Sequence, residues 1–102
     1  MVRKVVWSKE ASQERNNIFT YWNQRNKSNL YSKKLFFLIK AAIHSLKINP
    51  EVGKPTNRKD TKLRIVRDYY IVYRIKPDMI YILSVWDTRQ NPIKLEEIVN
   101  TK

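Results

Sequence analysis

The stretch from Leu63 to Pro92 constrains this chain more than any other. It reads Leu-Arg-Ile-Val-Arg-Asp-Tyr-Tyr-Ile-Val-Tyr-Arg-Ile-Lys-Pro-Asp-Met-Ile-Tyr-Ile-Leu-Ser-Val-Trp-Asp-Thr-Arg-Gln-Asn-Pro. β-Branched and aromatic residues fill it, and they suit the pleated, half-buried surface of a sheet. Side chains alternate along a strand, so Ile71, Tyr73 and Ile75 share one face and Tyr70, Val72 and Arg74 the other. The same alternation sets Ile80, Ile82 and Ser84 against Tyr81, Leu83 and Val85. Lys76-Pro77-Asp78 separates the two runs. Pro77 presets φ for the second position of a turn, and Asp78 tolerates the third. Arg67-Asp68 is a weaker break after an earlier strand near Leu63–Val66. Three strands joined as an antiparallel meander are expected. They end in a polar exit, Trp86-Asp87-Thr88-Arg89-Gln90-Asn91-Pro92.

The first half of the chain supplies a cover for that sheet. Val2 to Trp7 reads as a short strand around the apolar run Val5-Val6-Trp7. Ser8 can cap a following helix by accepting from a free backbone N–H, and Glu10 suits the first turn by charge. The helix is expected over Lys9–Arg25, with Ala11, Arg15, Ile18, Trp22 and Arg25 in one stripe widened by Phe19. Trp22 and Phe19 read as core at that spacing. Asn23 to Asn29 is polar and breaks the pattern. A second helix follows over Leu30–Ile48, with Tyr31, Leu35, Leu38, Ala42 and Leu46 in a stripe broadened by Phe36, Ile39 and Ile43. Asn49-Pro50 ends it, because the residue before proline avoids the α region. The two helices form an antiparallel hairpin whose apolar face needs the sheet as partner. The expected class is α+β: N-terminal strand, helical hairpin, three-strand meander and a short C-terminal segment, all in one domain over residues 1–102. After Pro92, Ile93 to Val99 is short and amphipathic, and reads either as one or two helical turns or as a docking tail.

Composition narrows the chemistry. With no Cys and His44 as the only histidine, a Cys-based metal site, a disulfide or a His-rich site is excluded. No cofactor is expected. His44 stands alone in mid-helix, without partners at catalytic spacing, and reads as a surface or packing residue. No apolar run approaches a membrane span, and Met1 to Trp7 holds no stretch long enough for a signal peptide. A cytoplasmic location is expected. The net charge is +12, from 21 Lys and Arg against 9 Asp and Glu, which favours an anionic partner.

Glu51 to Lys62 is expected to be the one long irregular segment, rich in turn-forming residues. Between Lys54 and Lys76 lie 8 of the 21 basic residues, opposed there by Asp60 and Asp68. A basic loop running into a sheet that carries Tyr69, Tyr70 and Tyr73 is a nucleic-acid surface in one reading. In the other it is a solvated loop beside core tyrosines.

The order of elements, with these residues, resembles the RelE/ParE superfamily of toxins from bacterial type II toxin–antitoxin systems. The likeness runs from Val5-Val6-Trp7-Ser8 to Pro92. Its most specific parts are Asn49-Pro50-Glu51-Val52-Gly53, Leu63-Arg64, Tyr69-Tyr70-Ile71-Val72-Tyr73-Arg74-Ile75 and Ile82-Leu83-Ser84-Val85-Trp86-Asp87-Thr88-Arg89-Gln90-Asn91-Pro92. The last resembles the plasmid-stabilisation, ParE-like members. The resemblance implies a growth-arresting toxin neutralised by a cognate acidic antitoxin, with a toxin dimer within that complex as one arrangement. It implies one of two targets. ParE-like members inhibit DNA gyrase, and RelE-like members cut mRNA on the ribosome.

Cleavage of RNA needs a group to activate the 2′-hydroxyl, a donor to the leaving oxygen and cations over the phosphorane. The candidate target-facing cations are Lys54, Arg58, Lys62, Arg64, Arg67 and Arg89. Arg89 matches the family's arginine after the last strand. Tyr70 and Trp86 are candidates for stacking, and Asp87 is placed to orient the Arg89 guanidinium. Tyr70 stands where RelE-like members carry an arginine, and no Tyr or His follows Arg89. These departures set gyrase ahead of mRNA. A rival from another class is a non-toxic RNA-binding or protein-binding module that uses the basic loop and sheet.

Overall fold

The computed structural model describes residues 3–89 and 92–100. Val2 of the first strand, Gln90 and Asn91 of the polar exit, and residues 101–102 lie outside the described residues. The elements run β1 (Lys4–Trp7), α1 (Lys9–Asn26), α2 (Leu30–Ile48), a 3-10 turn (Pro50–Val52), β2 (Lys54–Pro55), β3 (Thr61–Val66), β4 (Tyr69–Ile75), β5 (Met79–Asp87) and α3 (Pro92–Val99). The strands form one sheet in the order β1-β5-β4-β3-β2.

The expected meander is the antiparallel centre of this sheet, and two strands are added to it. β1 runs parallel to β5, from Lys4 opposite Met79 to Trp7 opposite Ile82. The helical hairpin and the meander between them give the long connection that a parallel pair needs. β2 occupies part of the segment expected to be irregular, with Lys54 opposite Leu63 and Pro55 opposite Lys62. Pro55 is tolerated because β2 is the edge, where a missing N–H breaks no ladder. The tail resolves as a helix that also docks: Val99 is buried, and Arg74 Nη2 donates to its carbonyl at 3.1 Å.

Strict alternation along the last strand fails at one point. Val72 pairs with Ser84 while Tyr73 pairs with Ile82, so Leu83 is an extra residue in β5. The bulge restarts the face count, as a bulge does. Val85, not Ser84, therefore joins Ile80 and Ile82 in the core. The bulge lies where β1 ends, and Ser8 is tied to it. Ser8 N–H donates to the Ile82 carbonyl at 2.9 Å, Ser8 Oγ donates to the Leu83 carbonyl at 3.0 Å, and the same Oγ accepts from Ala11 N–H at 3.0 Å. One buried serine thus caps α1 and closes the strand–helix corner against β5.

The helices pack as expected: Phe19 meets Phe36 and Trp22 meets Tyr31 edge to face, the pairing of an antiparallel hairpin. Ala11, Leu35, Ile39, Ala42, Ile43 and Leu46 bury against Val66, Tyr69, Ile71, Tyr73, Ile80, Ile82 and Val85. Phe36 departs from the stripe assigned to it. It is 44% exposed and its neighbour Phe37 is 64% exposed, because adjacent helical positions point about 100° apart and the narrow face is already filled. Leu38 is only partly buried. The other sheet face carries Val72, Arg74 and Trp86, all buried although they lie away from α1 and α2. The Arg74–Val99 bond places α3 on that side.

Candidate functional site

Arg89 stands apart from the other five candidate cations, of which Lys62 and Arg64 share one face of β3. Arg58 is engaged by Asp60, with Nε 3.2 Å from Oδ1 and Nη2 3.3 Å from Oδ2. Lys62 Nζ lies 3.4 Å from Glu51 Oε2. Lys54 is exposed on the edge strand β2. The basic loop is therefore partly neutralised by its own acids, Asp60 and, at its start, Glu51. Asp60 also lies 3.8 Å from Arg74, whose pKa is lowered chiefly by burial.

Arg64 and Arg67 form a second group. Arg64 is opposite the core residue Ile71 in register, so it points to the helical side of the sheet beside α2. Its Nε is buried and has no hydrogen-bond partner among the described residues. Arg67 is the first residue of the two-residue link between β3 and β4, at φ 56°. Glycine usually fills such a position. Both arginines line a pocket of about 360 Å³ between α2 and β3.

Arg89 belongs to a third place, beyond the end of β5. Its Nε donates to Asp87 Oδ1 at 3.1 Å and its Nη2 to Oδ2 at 2.9 Å, a two-point fork. The Arg89 backbone N–H adds a third bond to Asp87 Oδ1 at 2.9 Å. These bonds hold the Asp87 carboxyl below the usual carboxylate range and raise the Arg89 guanidinium above its ordinary value. The Arg89 side chain stays 63% exposed, so it is held by Asp87 and still faces outward. The pair borders a cavity of about 410 Å³ that Glu14, Ile18, Tyr21 and Tyr69 also line. Burial raises the Glu14 carboxyl, which accepts from Ser84 Oγ at 2.9 Å and Val85 N–H at 3.3 Å. Burial also raises the Tyr69 hydroxyl, which accepts from Trp22 Nε1 at 2.9 Å.

Tyr70 and Trp86 are opposite each other on the face away from the helical hairpin. Tyr70 is partly exposed, but Trp86 is 5% exposed and has little ring face to offer a partner. Its burial is not visible locally, because α3 and the sheet meet only in three dimensions.

A larger concavity than either of these two pockets lies elsewhere. Val5, Trp7, Phe36, Phe37, Ile39 and Ile43 line most of a groove of about 740 Å³ on the helical hairpin, with Arg15, Lys40 and Lys47 also lining it. Arg15 stacks over the Trp7 ring at 4.6 Å. Helical spacing places Phe36 in the core stripe and gives Phe37 no part in it, yet both are exposed. The adjacent pair was the available signal, since two neighbouring helical side chains cannot both face a narrow core. Among the described residues no group of His, Asp and Glu side chains is gathered for a metal, and no helix is long and apolar enough to cross a membrane.

A family model described as the ParE toxin of the type II toxin–antitoxin system parDE matches residues 5–92. Among solved structures, the fold is similar to a chain of the chromosomal ParDE TA system from P. aeruginosa, with TM-score 0.72 and 15% identity, over 86% of this chain and 98% of that one. A chain of the toxin–antitoxin complex RelBE2 from Mycobacterium tuberculosis is similar at TM-score 0.62 and 22% identity, over 85% and 99%. A chain of the YoeB dimer from Staphylococcus aureus is similar at TM-score 0.59 and 18% identity, over 84% and 97%. At these identities the structural likenesses speak to the fold. No curated protein sequence is similar enough to count as a relative.

Proposed function

The chain belongs to the ParE toxin family of type II toxin–antitoxin systems, and from that premise we propose that it arrests growth in the cytoplasm by inhibiting DNA gyrase. A cognate acidic antitoxin holds it in check. The observation that carries the choice of target is that half of the candidate cations are paired with acids of the chain and that Arg89 stands apart from the rest. Arg58, Lys62 and Arg89 are each occupied by an acid of the chain itself. Arg64 and Arg67 line a pocket apart from the one that Arg89 borders. Cleavage of RNA needs cations and a proton-transfer group within reach of one phosphate. Lys62 and Arg64 share one face of β3, but Lys62 is paired with Glu51, and Arg89 lies beyond the end of β5. A toxin that acts by occupying a protein target needs only a surface.

Arg89 is the target-facing residue of this reading. Its fork to Asp87 fixes the direction of an exposed guanidinium, which lowers the ordering cost of meeting a partner. The antitoxin reading draws on the net charge of +12 and on the groove bordered by Arg15, Lys40 and Lys47. An acidic, apolar-faced segment complements both.

Controlled expression of the chain tests this, with growth, chromosome supercoiling and mRNA 5′ ends followed together. Arrest with relaxed or broken DNA and intact transcripts supports the proposal. Arrest with transcripts cut at codon boundaries supports the ribosomal alternative. Normal growth favours a non-toxic binding module.

A further inference from the structure

The pocket between α2 and β3 has a property that growth arrest does not account for. Arg64 Nε is a buried donor with no hydrogen-bond partner among the described residues. Buried polar groups of native proteins are nearly always paired, so one left over needs an explanation. Arg67 lines the same pocket, and its backbone is held at φ 56°, where a non-glycine residue is strained. Neither arginine has a salt bridge among the described residues, and no carboxylate lines the pocket. Two like charges therefore share one concavity. An incoming anion would meet both.

The walls say which anion. Leu38, Ala41, Ala42 and Val66 are apolar. The Ser45 hydroxyl is already spent, donating to the Ala42 carbonyl at 2.6 Å. A phosphodiester would bring a charged, hydrated backbone against this apolar wall. A carboxylate side chain brings methylene groups that the wall can cover, and its two oxygens match the guanidinium fork. The strand edge beside the pocket points the same way. β2 pairs with β3 at Lys62 and Leu63 and then stops. From Arg64 to Val66 the outer edge of β3 has no partner strand among the described residues. An extended peptide can pair with that edge by main-chain bonds while its side chain enters the pocket.

We propose that the pocket between α2 and β3 is a carboxylate-binding site for an extended acidic peptide segment of a partner protein, with Arg64 supplying the fork and Arg67 the second charge. It deepens the reading of an acidic antitoxin. Its test uses no antitoxin, so the pocket can fail while that reading stands.

The experiment follows the arginine Nε–Hε resonances of the whole chain, labelled with nitrogen-15, during titration. The probes are acetyl-Val-Glu-Val-Glu-Val-amide, the same peptide with Gln for Glu, and inorganic phosphate. The Glu peptide should shift the Arg64 resonance saturably and bind at least tenfold more tightly than the Gln peptide. Arg64→Met should abolish the difference between the two peptides without lowering the melting temperature, since it removes a donor that has no partner. Arg67→Gly should weaken the Glu peptide and keep the Arg64 response. An Arg64 resonance that moves with phosphate but not with the Glu peptide overturns the proposal in favour of a phosphate site. Equal response to both peptides, or none, overturns it outright, and the wild-type titration decides even if Arg64→Met fails to fold.

Discussion

The Tyr73 hydroxyl donates to the Pro50 carbonyl at 2.6 Å and accepts from Gly53 N–H at 3.1 Å, clamping the turn after α2 to the centre of the sheet. Gly53 is the only glycine of the chain, yet its φ is −73°, which any residue adopts. What demands glycine is contact: a Cβ there would lie 2.4 Å from Tyr73 Oη and 2.9 Å from the Leu63 carbonyl oxygen. Gly53→Ala should therefore destabilise the fold by about 1–3 kcal/mol, as overpacking does. Tyr73→Phe should cost about 1–3 kcal/mol by leaving the Gly53 N–H without its acceptor. Denaturant melts of the two single variants and the double should show less than additive loss, because each removes part of the other's effect.

The positions that do require a left-handed backbone hold other residues. Lys27 caps α1 at φ 50° and Arg67 links β3 to β4 at φ 56°. Lys27→Gly and Arg67→Gly should each raise stability by about 1 kcal/mol, the usual relief for such a site. Thermal melts check this, and no gain at Lys27 would show that its cap is unstrained.

Glu14 gives a pH dependence. Burial raises its folded pKa above the ordinary value of 4.5, so the folded state holds this proton more tightly than the unfolded chain. Its favourable contribution is complete below pH 4.5 and is lost as pH rises through the folded value. Glu14→Gln keeps an acceptor for Ser84 and Val85 and cannot ionise. Its melting temperature should exceed the wild type's at pH 7, and the gap should close by about pH 4, near the unfolded carboxylate value. A gap that persists at low pH would rule out ionisation as the cause.

Association with the antitoxin should slow as salt rises, because screening weakens steering by a chain of net charge +12. The antitoxin's binding segment should be acidic, disordered when free, and ordered on the toxin. Stopped-flow rates from low to high salt check the first statement. A flat salt dependence would mean that charge does not guide the encounter.

Much of this fold was legible because periodicity reports burial. The bounds of α2 and the antiparallel meander follow from spacing and from Pro50 and Pro77 alone. What escaped depends on contacts between distant residues. The parallel pairing of Trp7 with Ile82, the bulge at Leu83 and the cover that α3 places over Arg74 leave no local signal. The same limit governs the site. The Asp87–Arg89 fork is readable because the partners are two residues apart. The pairing of Lys62 with Glu51 and the orphaned Arg64 Nε are not, since strand register decides them.

Arg89 separates target contact from structure. Its acidic partner is the near neighbour Asp87, and its side chain is largely exposed. Arg89→Ala should leave the melting temperature within a degree or so of wild type, as exposed pairs contribute little, and should weaken growth arrest. A large fall in melting with arrest intact would make it a structural pin.

The most direct measurement is a supercoiling assay with purified gyrase, relaxed plasmid and the purified chain, with Arg89→Ala and a ribosome-bound mRNA alongside. Wild-type protein should block supercoiling in proportion to its concentration, Arg89→Ala should block it less, and the mRNA should stay whole. Undiminished supercoiling at a large excess of toxin, with the mRNA cut, would contradict the account.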